Sequence, residues 1–146
     1  MRAGRARGRA AVARRRTQAL GAALILATMC GCASLSDREN AAAGAGLRFE
    51  AALAAKDNAA LCTDLAPGTR QELEDTAKSG CEQAVADSDV PQAADVRRVD
   101  VYGQQARVVL DADTLFLSLF PDGWKVTAAG CEPRPRKPYK CELKGG

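Results

Sequence analysis

Residues 1–31 carry seven arginines (Arg2, Arg5, Arg7, Arg9, Arg14, Arg15, Arg16) and no acid. That chemistry stops at residue 31 and decides how much of the chain can enter one core. The whole chain has 146 residues and a formal net charge of +3. Removing seven of its 21 basic residues leaves 14 against 18 acids, so the remainder is at −4. All six aromatics (Phe49, Tyr102, Phe116, Phe120, Trp124, Tyr139) lie in that remainder. What is left suits one domain of ordinary size. The basic balance therefore belongs to the first segment, and it does not imply a nucleic-acid partner. No nucleic-acid motif, phosphate loop or internal repeat is present. The chain has no His, which removes the commonest general base and a common zinc ligand.

Residues 1–16 read as a basic n-region and residues 17–29 as an apolar h-region. That run has 13 residues, where a spanning helix needs about 20. It ends in Met29-Cys30-Gly31-Cys32-Ala33-Ser34, and here the sequence resembles a bacterial lipoprotein signal. In that family a small residue precedes the Cys that receives a diacylglycerol thioether before cleavage, and Gly31-Cys32 fits. Cys30 fits less well, because Met29 would stand where Gly or Ala is wanted. The resemblance implies acylation of Cys32 and anchoring at the extracytoplasmic face of the cell membrane, with the lipid bilayer as partner. Two or three acyl chains hold where one anchors only marginally. Arg14-Arg15-Arg16-Thr17 leaves the twin-arginine route open beside general secretion. Residues 33–45 are small and polar, and 32–40 read as a lipidated tether whose end enters a helix. The expected organisation is a signal peptide at 1–31, the tether at 32–40 and a globular domain at 41–146.

Four cysteines follow Cys32: Cys62, Cys81, Cys131 and Cys141. An even count in an exported chain reads as two disulfides, and four cysteines allow three connectivities. Cys62–Cys81 and Cys131–Cys141 are expected, because each pair brackets its own segment. There is no C-x-x-C spacing, so neither a metal site nor a cofactor is implied.

Residues 41–79 show helical spacing in Phe49/Leu53, Leu61/Leu65 and Leu73/Ala77, continued by Cys81 and Val85 across Gly80. Asp57-Asn58 and Pro67-Gly68 divide the stretch into three helices, with Thr69 and Glu72 as a capping box for the third. After a linker at 87–94 the period becomes two. Strands are expected at 96–102, 106–111, 114–120 and 124–129. Gly103-Gln104 suits a two-residue hairpin, and Pro121-Asp122-Gly123 is a turn.

These turns imply a register: Asp100 opposite Arg107, Val108 opposite Leu117, Val109 opposite Phe116, Phe120 opposite Trp124, Ser118 opposite Val126 and Phe116 opposite Ala128. One sheet face then carries Val99, Val101, Ala106, Val108, Leu110, Leu115, Leu117 and Leu119. The other carries Tyr102, Val109, Phe116, Phe120, Trp124 and Val126, with Arg98, Asp100, Arg107 and Ser118 among them. Helices cover one face only, so the second needs a cover. The candidates are the C-terminal segment, a second copy of the chain in a homodimer, or a small apolar ligand. The tail after Cys131 is Pro-rich and basic (Arg134, Arg136, Lys137, Lys140, Lys144), and reads as a solvated disulfide-closed loop or as a contact for phosphate or anionic headgroups.

Helices followed by a four-stranded antiparallel meander resemble a reduced nuclear-transport-factor-2-like (cystatin-related) α+β cone. The Gly123-Trp124-Lys125-Val126 strand, entered from Pro-Asp-Gly and ending in Ala-Ala-Gly-Cys, is similar to small actinobacterial lipoproteins with that domain. The fold hosts enzymes and binding modules alike. Its isomerases and cyclases use an Asp base with a His or Tyr in the cone. The matching candidates here are Asp100 and Tyr102, and the His is missing. Asp111 and Asp113 lie at a strand turn, where Asp serves turn chemistry. The expected function is a non-catalytic ligand-binding or protein-interaction module on the membrane, with a cone enzyme using Asp100 and Tyr102 as the alternative.

Overall fold

The computed structural model describes residues 34–145. The expected signal peptide at 1–31 and the acylation site Cys32 lie outside the described residues. The described chain is α+β, with four helices preceding an antiparallel sheet.

Helix α1 spans Leu35–Ala55. Ser34 caps it: its side chain accepts from the Asp37 N–H, while the Asp37 carboxylate accepts from the Ser34 N–H. This reciprocal pair satisfies two donors that would otherwise fray the first turn. It starts the helix six residues before 41, so 35–40 are helical rather than a flexible tether. Lys56 ends α1 in the left-handed conformation, and the Asp57 carboxylate caps α2 (Asn58–Asp64) through the Ala60 N–H. Helix α3 spans Pro67–Ala77, with Pro67 in its first turn, where the missing N–H costs nothing. Thr69 is therefore inside α3 rather than its cap. It is buried, and its hydroxyl donates to the Thr127 carbonyl at 3.0 Å. A separate helix, α4 (Cys81–Ala86), follows the break at Gly80.

The strands are β1 (Val96–Tyr102), β2 (Gln105–Leu110), β3 (Thr114–Phe120) and β4 (Gly123–Ala129). Next come the short strands β5 (Glu132–Arg134) and β6 (Lys137–Lys140), which pair only with each other. Last is β7 (Leu143–Lys144), which pairs with β4. The main sheet thus has five strands in the order β1-β2-β3-β4-β7, not four. The Cys131–Cys141 bond explains the fifth. It holds Cys141 beside the end of β4, so residues 142–144 leave antiparallel along that strand and Leu143 is buried.

Both disulfides have the expected pairing, with Cα atoms 6.0 Å apart in Cys62–Cys81 and 4.0 Å apart in Cys131–Cys141. The first joins α2 to the start of α4.

The core lies between α1 and the first sheet face. Phe49, Leu61, Val108, Leu115, Leu117 and Val126 are essentially inaccessible. Helix α1 buries small residues, Ala42, Ala45, Gly46 and Ala52. A Cβ on Gly46 would stand 3.3 Å from Leu115 Cδ1 and 3.4 Å from Val108 Cγ1, so glycine lets the helix backbone approach the sheet.

The register departs from expectation in two ways. The β2–β3 turn centres on Asp111-Ala112, with the Leu110 N–H donating to the Asp113 carbonyl. Val108 therefore faces Leu115 and Val109 faces Thr114. That is a two-residue displacement, which leaves every side chain on its expected face. The β3–β4 turn places Phe120 opposite Gly123, Leu119 opposite Trp124 and Leu117 opposite Val126. That one-residue displacement moves Trp124 and Val126 to the core face, where they are 6% and 1% exposed. A bulge between the Phe116 and Leu117 pairings restores Phe116 opposite Ala128.

Candidate functional site

The second sheet face is the surface that the sequence singles out, and the register places Tyr102, Val109, Phe116 and Phe120 on it. The six expected pocket or interface residues are therefore split, with Trp124 and Val126 in the core beneath the sheet. Arg98, Asp100, Arg107 and Ser118 are interleaved with the four that remain, as expected, and Lys125 joins them opposite Ser118, so with Trp124 and Val126 gone this face is more polar than expected.

Its centre is covered by the chain itself. The β5–β6 hairpin sets the Tyr139 ring edge-on to Phe116, with centroids 5.1 Å apart and planes at 77°. The Tyr139 hydroxyl accepts from Arg107 Nη1 at 3.5 Å, a long contact. The C-terminal segment, one of the three candidate covers, thus lies on Phe116. Tyr139 was missed as a cover, although an aromatic ring inside a disulfide-closed polar loop was a readable signal. Arg134 Nε donates to the Pro138 carbonyl across this hairpin, so one of the basic side chains serves the loop's own shape.

Asp100 faces Arg107 as expected. Its carboxylate accepts from Arg107 Nη2 at 2.7 Å and Nε at 3.2 Å, and from Arg98 Nε at 2.8 Å. The Arg107 hydrogen bond, helped by Arg98, holds the Asp100 pKa below the usual carboxylate value. A carboxylate held this way is a weak base. Among the described residues, nothing closes around Tyr102, which is 68% exposed.

A second group of acids gathers at the other end of the sheet. Asp111 accepts from the Ala94 and Asp95 N–H groups, which lower its pKa and tie the linker to the β2–β3 turn. Asp113 is buried and accepts from the N–H groups of Thr114, Gly130 and Cys131. Burial outweighs these bonds and raises its pKa. Neither acid is paired for acid–base work, and both do turn chemistry. Glu50 on α1 was not singled out by the sequence analysis. It is 3% exposed, accepts from the Ala93 N–H at 2.8 Å through Oε2, and leaves Oε1 without a partner. Burial, with smaller contributions from the Asp113 and Asp111 charges, raises its pKa to about 7. Its position four residues after Gly46, on the face that α1 buries, was the signal.

Among the described residues, no group of three or more His, Cys, Asp or Glu side chains is arranged to hold a metal ion. None of the described helices is long and apolar enough to cross a membrane. Comparisons with protein-family models, with curated proteins and with solved structures returned no match.

Proposed function

We propose that the chain is an extracytoplasmic protein-interaction module, anchored to the cell membrane through acylated Cys32 and without catalytic activity of its own. The observation that carries this reading is the pairing of all four cysteines after Cys32 into two local disulfides. Such bonds form and persist in oxidising compartments. The acid-free arginine segment, the short apolar run and Gly31-Cys32 supply the route and the anchor. An interaction role suits the second sheet face better than an apolar ligand pocket does, because Tyr139 already occupies its centre and charged side chains are interleaved with the apolar ones around it. The Asp100 ion pairs argue against the isomerase-like alternative. Four helices leading into an antiparallel meander support the reduced nuclear-transport-factor-2-like reading of the architecture. The fifth strand and the β5–β6 hairpin are departures from it.

Mass spectrometry of the chain purified from native membranes tests the anchor. The expected N-terminal peptide begins at Cys32 and carries a diacylglycerol thioether. An unmodified Cys32, or a chain that still begins at Met1, overturns the reading.

A further inference from the structure

The residues nearest the anchor form one end of the domain, and that end carries exposed apolar groups. The capping box fixes α1 from Ser34, and a single residue, Ala33, separates Ser34 from Cys32. Two extended residues span at most about 7 Å. The anchor therefore cannot leave the start of α1.

Arg38, one turn into α1, donates from Nη2 to the carbonyl of Gly103 in the β1–β2 turn. Its guanidinium carbon also lies 5.9 Å from the centroid of the Trp124 ring, at the start of β4. The helix start, the β1–β2 turn and the β3–β4 turn thus share one end of the molecule. The β2–β3 turn is at the opposite end, about 20 Å away along six residues of β2. Among the described large hydrophobic side chains, Tyr102 and Leu35 are the most exposed, at 68% and 60%. Tyr102 adjoins the Gly103 turn and Leu35 begins α1, so both are at the anchored end.

We propose that this end is a membrane-seating surface: Leu35 and Tyr102 enter the interfacial layer of the bilayer, and the Arg38–Gly103 contact holds them in a fixed relation. The partner is a lipid surface. A tyrosine with an apolar ring and a polar tip suits the headgroup boundary, and an exposed leucine at the same end adds apolar contact. A rigid link to the acyl group turns these two side chains into a device that sets the orientation of the domain. The second sheet face, with its basic hairpin, is then held at a fixed attitude to the membrane. The proposal rests on the acylation of Cys32.

The test uses the mature chain, purified from membranes and reconstituted into vesicles of phosphatidylethanolamine and phosphatidylglycerol. A fraction of the lipid carries a nitroxide high on the acyl chain. Tryptophan reporters are introduced singly as Leu35→Trp, Tyr102→Trp and, at the far end, Ala112→Trp. All three sites are exposed, so folding is preserved, and intact disulfides are verified by mass. After subtraction of the Trp124 signal, quenching at positions 35 and 102 is expected to exceed that at 112 by about threefold or more. A chain that floats with the vesicles but shows equal quenching at all three positions overturns the seating surface alone. A chain that does not float lacks the anchor, and overturns both readings.

Discussion

Glu50 and Asp113 are both buried carboxylates, and what separates them is the number of donors facing each. Asp113 collects three backbone N–H groups, which is the arrangement of a structural clamp between the β2–β3 turn and the end of β4. Glu50 has one donor, from Ala93, and an orphaned oxygen, with Asp113 and Asp111 as its charged neighbours. Its protonated form is thus the more comfortable one in the folded state. Because the folded pKa is raised, from 4.5 to about 7, the folded chain holds this proton more tightly than the unfolded chain does. The stability it contributes is complete below the unfolded value and is lost as pH rises through about 7. We predict that thermal stability declines between pH 5 and pH 8, and that Glu50→Gln flattens this decline. At pH 8 the variant should be more stable than the parent by about 1–3 kcal/mol, as read by denaturant titration, with little difference at pH 5. Equal slopes in parent and variant would remove Glu50 as the cause. Asp100 has the opposite sign. Its lowered pKa contributes stability that disappears only as pH falls through the acidic range, outside this window.

At the scale of elements, the hairpin β5–β6 is the part that changes how the sheet is read. Two apolar faces on one meander demand a cover for each. Helix α1 covers the first with Phe49 and a row of small residues. The second is less apolar than the alternating pattern implies, because the short β3–β4 turn rotates Trp124 and Val126 into the core. At the centre of what remains is Phe116, which one ring from a disulfide-closed loop meets edge-on. Tyr139→Ala should therefore expose Phe116 and cost about 1–2 kcal/mol, while Tyr139→Phe should keep most of that contact. Amide exchange distinguishes the effects. In the alanine variant, protection should fall first in residues 132–140, with β2 and β3 unaffected. Uniform loss across the sheet would mean that Tyr139 holds more than its own hairpin.

At the scale of the molecule, the two disulfides do different work, and they close loops with sequence separations of 19 and 10. Cys62–Cys81 is buried in the main core cluster and joins α2 to α4, whereas Cys131–Cys141 closes the peripheral hairpin and directs β7 back along β4. Loop-closure entropy alone assigns each about 3 kcal/mol. The prediction is that Cys62→Ser with Cys81→Ser lowers the global denaturation midpoint by the full amount. Cys131→Ser with Cys141→Ser should first release residues 131–144, as a separate low-stability transition. A single shared transition in both pairs of variants would contradict this division.

Much of this architecture is written in local chemistry. Helical spacing, the breaks at Asp57 and Pro67, period-two strands, the Gly103-Gln104 turn and the bracketing cysteines each act over a few residues, and so they can be read from the chain. The same holds for the Asp100–Arg107 pairing, which follows from its two-residue turn. The fifth strand, the face of Trp124, the cover supplied by Tyr139 and the burial of Glu50 were decided only by tertiary structure. Each depends on distant segments competing for one sheet: a one-residue change in a turn exchanges its faces, and a disulfide chooses which strand the tail joins.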